Sequence, residues 1–538
     1  MTSFFLFILL ILWAVHTVQK IFYSLYFWQL KEYRLDRIKG DPKNSLRVFI
    51  PKTTLLMAVL LLFIPILSGY DGPYSWNDLV LVVFYILGAY SLFLLAKKSW
   101  RLPKFTKKAT ILSALPLFLS AFCVFLFANS FFLFVVIAEI SIPLVTFLIV
   151  ELSQIPTFFI KKTIYKKAAE KIKNHKNLTS IAITGSYGKS STKEFLYTFL
   201  SQKYRVLRTV GNINTEIGVA QTIIKNLKPD HQVFIVEMGA YRKGEIKLMC
   251  DIVKPKIGVV TGVNAQHLAL FGSLENLLSA EGGGELAEAL PADGTLILNG
   301  ENKYCIDLYK KAKNPPDKNK KIYSISNKVI NSDIWTESIT VNKNSLSFIA
   351  IDKAGELVDF EVRVLGAQNV QNILAASLAA KELGVSIMDC AQMCKNISQE
   401  QAGMTINTGK HGISIIDSSY SANPDGVIAD IDYLSIFPGK RVVVMPCLIE
   451  LGEKSPEIHE KIGRKIGEVC DLAIITTKDY FKEIEKGFKD AQRKNEAKCL
   501  LCDKPQDIYS MITLLCKEGD TILLEGRIPS KLLDLLVE

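Results

Sequence analysis

Apolar residues fall along this 538-residue chain in two unlike patterns. Up to about residue 151 they form near-continuous runs at about 3–27, 53–69, 78–96, 109–127 and 130–151, each close to the roughly 20 residues that cross a bilayer as a helix. Beyond Thr179 the runs shorten and alternate with amphipathic stretches, the rhythm of a doubly wound α/β sheet. Strands are predicted at 180–184, 233–237, 257–261 and 295–298, with helices at 189–201 and near 273–290. Short alternating runs between 322 and 365 predict an antiparallel insert, and an Ala-rich helix follows over Asn369–Leu383. A second α/β series starts near 405, with strands at 413–417, 441–445, 472–476 and 521–525. It is long enough to bury its own core. The expected fold is therefore a multi-pass α-helical membrane domain over 1–152, a basic linker over 153–178, a P-loop doubly wound domain over 179–400 and a second α/β domain over 401–538.

Loop charge orients the first part. Lys31, Arg34, Arg37, Lys39, Lys43, Arg47 and Lys52 follow the first run and Lys97, Lys98, Arg101, Lys104, Lys107 and Lys108 the third, whereas 70–77 and 128–129 hold no Lys or Arg. The positive-inside rule then predicts five spans in the cell membrane, with the N-terminus outside and everything after the fifth cytoplasmic. The first run is too long and too aromatic for a cleavable signal. Net charge is +11, but the basic loops and the Lys161–Lys176 stretch account for that excess, which argues against nucleic acid and for membrane lipids as the partner. Ile160–Ile172 reads equally as an amphipathic helix on anionic lipid or as a solvated linker helix. Glu139, isolated among apolar residues, either lines a substrate path or pairs with a hydroxyl such as Ser141 or Ser120. Ten cysteines sit in apolar or mixed contexts, as free thiols of a reducing compartment do, and Cys499-Leu-Leu-Cys502 lacks the second pair of a metal site.

Chemistry concentrates where the strand at 180–184 empties. Gly185, Ser186, Tyr187, Gly188, Lys189, Ser190 and Ser191 follow it and open a helical pattern. The spacing is GxxGK[ST], shorter than the GxxxxGK[ST] of the longer phosphate loops. Glycines let backbone N–H groups curl around phosphate oxygens, Lys189 brings positive charge to the β/γ end of ATP, Ser190 can hold Mg²⁺, and the helix N-terminus adds its dipole. Glu237 closes the strand at 233–237, where a carboxylate beside such a turn is placed to hold Mg²⁺; the plain alternative is an ordinary strand-end acid. His267 follows another buried strand and, taken alone, reads as a structural hydrogen-bonder.

Separated stretches, in order, resemble the Mur ligase family, and within it the type that adds D-alanyl-D-alanine to UDP-N-acetylmuramoyl-tripeptide. They are Thr184–Ser190, Gly211–Gly218, Glu237–Ile246, His267 with Phe271–Glu275, Asn369–Asn372 before Ala375 and Ala376, Asp417–Pro424 and Ile449–Gly452, and the resemblance covers about 179–538. It implies a central ATPase domain, a C-terminal Rossmann-like α/β domain and an ATP-dependent, ADP-forming amide ligase that works through an acyl phosphate with Mg²⁺. By position it implies that Lys189 contacts phosphates, Ser190 and Glu237 hold one Mg²⁺, His267 holds a second, and Asn372 hydrogen-bonds adenine. Asp417 would join the nucleotide site, and Asn212, Asn214, Tyr420 and Asn423 would face the substrates.

The chain also departs from that family. Glu281 stands where Mur ligases carbamylate a lysine; it either replaces the carbamate as a metal ligand or prop for Lys189, or is a solvent-facing helix residue. Ala402-Gly403 replaces a Gly-Arg, Gln368 a His, and Ser418 an Asp. The family's N-terminal UDP-sugar domain is replaced by the apolar unit, which suggests a lipid-linked wall precursor as an alternative to a UDP-linked one, joined to an amino acid or dipeptide. The competing reading is a non-catalytic, ATP-binding membrane scaffold; a transporter ATPase is disfavoured because no LSGGQ-like signature follows the turn.

Overall fold

The computed structural model describes residues 2–39, 54–55, 59, 76–126, 131–326, 331–419, 422–492 and 496–537, which fall into two compact units, Met1–Lys161 and Lys162–Glu538. The first is helical, with helices Thr2–Leu30, Leu35–Lys39, Trp76–Ala96 and Lys107–Leu126 and most of the 43-residue helix Phe131–Lys173. The five-span placement with an outer N-terminus does not stand on it. Among the described residues two helices, Phe7–Leu30 and Val135–Lys173, are long and apolar enough to cross a membrane by length and composition, and half of each apolar window is buried inside the protein. Core helices pass the same test, so a count of apolar runs overstates spans. The run at 53–69 lies almost wholly outside the described residues.

Two other expectations for this region change. The last run does not end at 151, because the helix continues to Lys173 through the basic stretch. There Ala168 and Ile172 are buried in the core of the second unit and the Lys171 ammonium donates to the Ile224 carbonyl at 2.8 Å, so protein rather than lipid or open solvent covers that face. Glu139 is fully buried and pairs with Lys20 Nζ at 2.5 Å and His16 Nε2 at 3.2 Å. The hydroxyls of Ser141 and Ser120 instead donate to Ala138 and Pro116 carbonyls of their own helices.

The second unit holds two sheets. The first contains β1 (Thr179–Thr184), β2 (Val206–Arg208), β3 (Val233–Glu237), β4 (Ile257–Val260), β5 (Thr295–Asn299), β6 (Lys320–Tyr323), β7 (Ile334–Val341), β8 (Leu346–Asp352) and β9 (Leu357–Val362), in the order β2-β3-β1-β4-β5-β6-β7-β8-β9. Strands β2 to β7 run parallel and β7 to β9 form an antiparallel ladder. The expected insert is thus no separate body; it extends the same sheet. Alternate residues of the central strands serve opposite faces. Ile181, Ile183, Ile235 and Val259 pack under the helices Lys189–Leu200 and Gln368–Lys381, while Ala182, Phe234, Val236 and Val260 pack under Glu216–Asn226 and Glu245–Val253.

The second sheet contains β10 (Thr405–Thr408), β11 (Ser414–Ser418), β12 (Arg441–Met445), β13 (Leu472–Ile475), β14 (Lys498–Leu501) and β15 (Thr521–Glu525), ordered β10-β11-β15-β12-β13-β14 and parallel except for β10. Its core takes in Leu365, with Val341 and Ala265 packed on it, so the two α/β domains share buried apolar surface. Register places the site. Ile183 pairs with Glu237 and Thr184 with Val260, so the turn after β1, the end of β3 and the turn after β4 emerge side by side at the carboxyl edge, where open α/β sheets bind ligands.

Candidate nucleotide and metal site

The turn after β1 is shaped by two glycines with positive φ. Gly185 (φ 135°) passes so close to Thr261 that a Cβ would lie 2.3 Å from its Oγ1, and at Gly188 (φ 74°) a Cβ would lie 2.4 Å from Asn372 Oδ1. Only glycine meets both demands. The Ser186 N–H donates to the Gly262 carbonyl at 2.7 Å, the Thr261 hydroxyl donates to the Tyr187 carbonyl, and the Lys189 ammonium donates to the Gly185 carbonyl. The Tyr187 ring closes over Gly262, with its hydroxyl accepting from Asn302 at 3.3 Å. Burial first, and then the Asp425 charge, push that phenol well above its ordinary range.

On one flank, at the end of β3, Glu237 is 1% exposed and fully engaged. Its Oε2 accepts from the Ser190 hydroxyl at 2.9 Å and from the Lys193 ammonium at 3.1 Å, and its Oε1 accepts from Asn214 at 3.2 Å. Ser190 and Glu237 supply adjoining hard oxygens, the donor set that suits Mg²⁺ when phosphate oxygens and water complete the shell. On the other flank His267 adopts a left-handed φ of 66° and its ring lies between two acids, Nδ1 at 3.1 Å from Glu281 and Nε2 at 3.6 Å from Glu450. Glu281 is 1% exposed and also takes the Ser186 hydroxyl at 3.4 Å, so it faces the turn and not solvent. Among the described residues no group of three His, Cys, Asp or Glu stands ready for a metal.

The remaining residues named from sequence take varied places. Asn372 lies beneath the turn, accepting from Thr192 at 3.3 Å and donating to Asn369 at 3.1 Å. The Ser191 hydroxyl donates to the Ala402 carbonyl at the domain junction. Asn212 is exposed on the loop after β2. Asp417, near the end of β11, accepts the Ser419 N–H at 2.9 Å. Asn423 caps the helix Pro424–Leu434 and accepts from Asn264 of the first sheet at 3.1 Å, alongside Asp425 at 2.9 Å. Tyr420 lies outside the described residues. Three participants carried no separate signal in the sequence: Lys193, Asn264 and Glu450. Lys193 follows Lys189 by four residues and so shares its helix face, a spacing that marks it in retrospect.

This α/β pair, with a phosphate turn and carboxylates converging at one sheet edge, has the build of a nucleotide-dependent ligase. The sequence pattern of the Mur ligase middle domain matches residues 183–380 and that of the Mur ligase glutamate ligase domain matches 404–528, together more than half of the chain. The chain belongs to the Mur ligase family, whose members are ATP-dependent, ADP-forming amide ligases that use Mg²⁺. It is 28% identical to the UDP-N-acetylmuramoyl-tripeptide–D-alanyl-D-alanine ligase of Buchnera aphidicola over 397 residues, 72% of this chain and 81% of that one. The Escherichia coli ligase of the same name is 30% identical over 283 residues, 53% of this chain and 61% of its own length, so the chain spans about three-fifths of that relative. Among solved structures it is similar to MurF from Acinetobacter baumannii (TM-score 0.62, 24% identity, 70% of this chain and 80% of that one) and to MurF from Thermotoga maritima in complex with ADP (TM-score 0.58, 26% identity, 70% and 83%). The ligase relatives are named for a UDP-linked acid, and the multi-pass placement in the cell membrane is overturned.

Proposed function

We propose that this chain joins D-alanyl-D-alanine, or a closely related amino acid or dipeptide, to a UDP-N-acetylmuramoyl tripeptide in peptidoglycan precursor synthesis. The observation that carries the reading is the meeting of the 185–190 turn with Ser190, Glu237 and Lys193 at the ends of β1 and β3. The substrates are inferred from the names of the relatives. In this reading a carboxylate oxygen of the acid attacks the γ-phosphorus of ATP and ADP departs, leaving an acyl phosphate. The amine nitrogen then attacks the acyl carbon, the carbon–oxygen bond to phosphate breaks, and the nitrogen sheds a proton.

The residues divide that work by position. Backbone N–H groups of the turn and Lys189 hold the phosphates, and Mg²⁺ on Ser190 and Glu237 would neutralise charge between them. Glu281 fixes the His267 ring beside the turn. The second α/β domain, tied through Asn264, Asn423 and Asp425, covers the opening and keeps water from the acyl phosphate. The test is release of ADP and phosphate from Mg·ATP in the presence of UDP-N-acetylmuramoyl tripeptide and D-alanyl-D-alanine. Ligation should require all three, and Lys189→Ala should lower it by about 100-fold or more, the effect of removing one charge-stabilising group. ATP binding with no ligation and no hydrolysis would return the protein to the scaffold class.

A further inference from the structure

Lys193 carries a charge into the core with no exposure at all, and neither the phosphate turn nor the residues expected to hold metal account for it. Its ammonium meets acceptors from three places: Glu237 Oε2 at 3.1 Å, the Gly211 carbonyl in the loop after β2 at 2.6 Å, and Glu194 at 3.5 Å. A buried ammonium must be paired this fully, because leaving it short of partners is strongly destabilising. The loop is held to the end of β3 by further bonds. The Glu237 N–H donates to Thr209 Oγ1 at 3.1 Å, Asn214 donates to Glu237 Oε1 at 3.2 Å, and the Gly239 N–H donates to the Asn214 carbonyl at 2.9 Å. Pinned at both ends, the loop turns Val210 (59% exposed), Asn212 and Ile213 (38% exposed) outward beside the phosphate turn.

One carboxylate thus serves two masters. Glu237 accepts the hydroxyl of Ser190, its companion for Mg²⁺, and it anchors the loop through Lys193 and Asn214. We propose that Lys193 is a positioning residue that couples metal binding at Ser190 and Glu237 to the order of the 209–215 loop. A divalent ion drawing on Glu237 Oε2 acts on the oxygen that Lys193 shares, and the same ammonium grips Gly211, so the change reaches the loop within two contacts. By reciprocity, a ligand that orders the loop tightens the ion. The metal at that site rests on the ligase reading above; the contacts that link it to the loop do not.

The test is hydrogen exchange on the full chain, read over peptides spanning 209–215, with and without Mg²⁺ and a non-hydrolysable ATP analogue. In the wild type, loop exchange should slow by about tenfold when both are added, the effect of one strengthened charge-assisted hydrogen bond. Lys193→Met, which keeps length and apolar stem but lacks the charge, should abolish that slowing, and Lys193→Arg should restore much of it. A merely structural lysine would lower thermal stability and leave the Mg²⁺ response of the loop intact. Slowing in Lys193→Met equal to that of the wild type therefore overturns the proposal. Should Lys193→Met not fold, a wild-type loop indifferent to Mg²⁺ overturns it equally. Absence of ligation in the wild type would sink the ligase reading alone, since the exchange measurement needs only the ion and the nucleotide.

Discussion

Asp430 and Glu525 are buried carboxyls facing each other at the junction of the two sheets. Asp430 accepts from Ser418 at 2.6 Å and from Gln368 at 2.9 Å, and the Asp417 charge lies near Glu525. Burial pushes both acids above the usual carboxylate range, and Asp430 pushes Glu525 further. An acid that binds its proton more tightly in the folded state stabilises fully below its unfolded pKa, near 4, and that stability is lost as pH climbs toward the folded value. Asp430→Asn removes the second charge from the pair. The wild-type melting temperature should fall more than the variant's between pH 5 and pH 8, by about 2–4 °C for each kcal/mol of differential stability in a domain of this size. Parallel melting curves would show that the pair holds no proton. Nothing in the sequence marks these two residues, 95 positions apart, as neighbours; the packing of the helix Pro424–Leu434 against β15 brings them together. Lys189 and Ser190 were legible because the phosphate turn is built from consecutive residues, whereas two of the three partners of Lys193 come from 18 and 44 residues away.

Among the elements, the turn after β1 is the most tightly specified. Gly188→Ala would place a methyl 2.4 Å from Asn372 Oδ1 at a left-handed φ, which itself costs about 1–2 kcal/mol. Calorimetric titration of ATP should show binding weakened by at least about tenfold while the circular dichroism of the protein is unchanged. The central strands were readable because their apolar runs are buried on both faces, and each is bounded by glycine or polar residues. The helical unit was not readable in the same way. A hydropathy run reports how apolar a segment is, and a helix sheltered by its neighbours is as apolar as one sheltered by lipid. The segment at 160–172 was ambiguous for a related reason: its apolar stripe needed a cover, and Ile224 and its neighbours supply one that lies far along the chain.

At the scale of the whole molecule, the four large cores of the α/β part, among the described residues, are built from residues 162–538. A chain of 162–538 expressed alone is expected to fold cooperatively and bind nucleotide, as thermal melting with and without Mg·ATP would show; an aggregated or non-cooperative product would mean that the helical unit completes the fold. The join between the two sheets is more particular. Glu450 takes a left-handed φ of 69°, its carbonyl accepts the Ala269 N–H at 3.1 Å, and its side chain faces His267, itself left-handed. Such backbone persists only where surroundings over-determine it and often marks functional sites.

The helix Gln368–Lys381 has a place in both regions. Asn372 presses under Gly188 at the phosphate turn, and Gln368, one turn earlier, grips Asp430 in the other domain. One rod thus touches the phosphate turn and the second α/β domain a single turn apart, so a displacement at either end has a path of two side chains to the other.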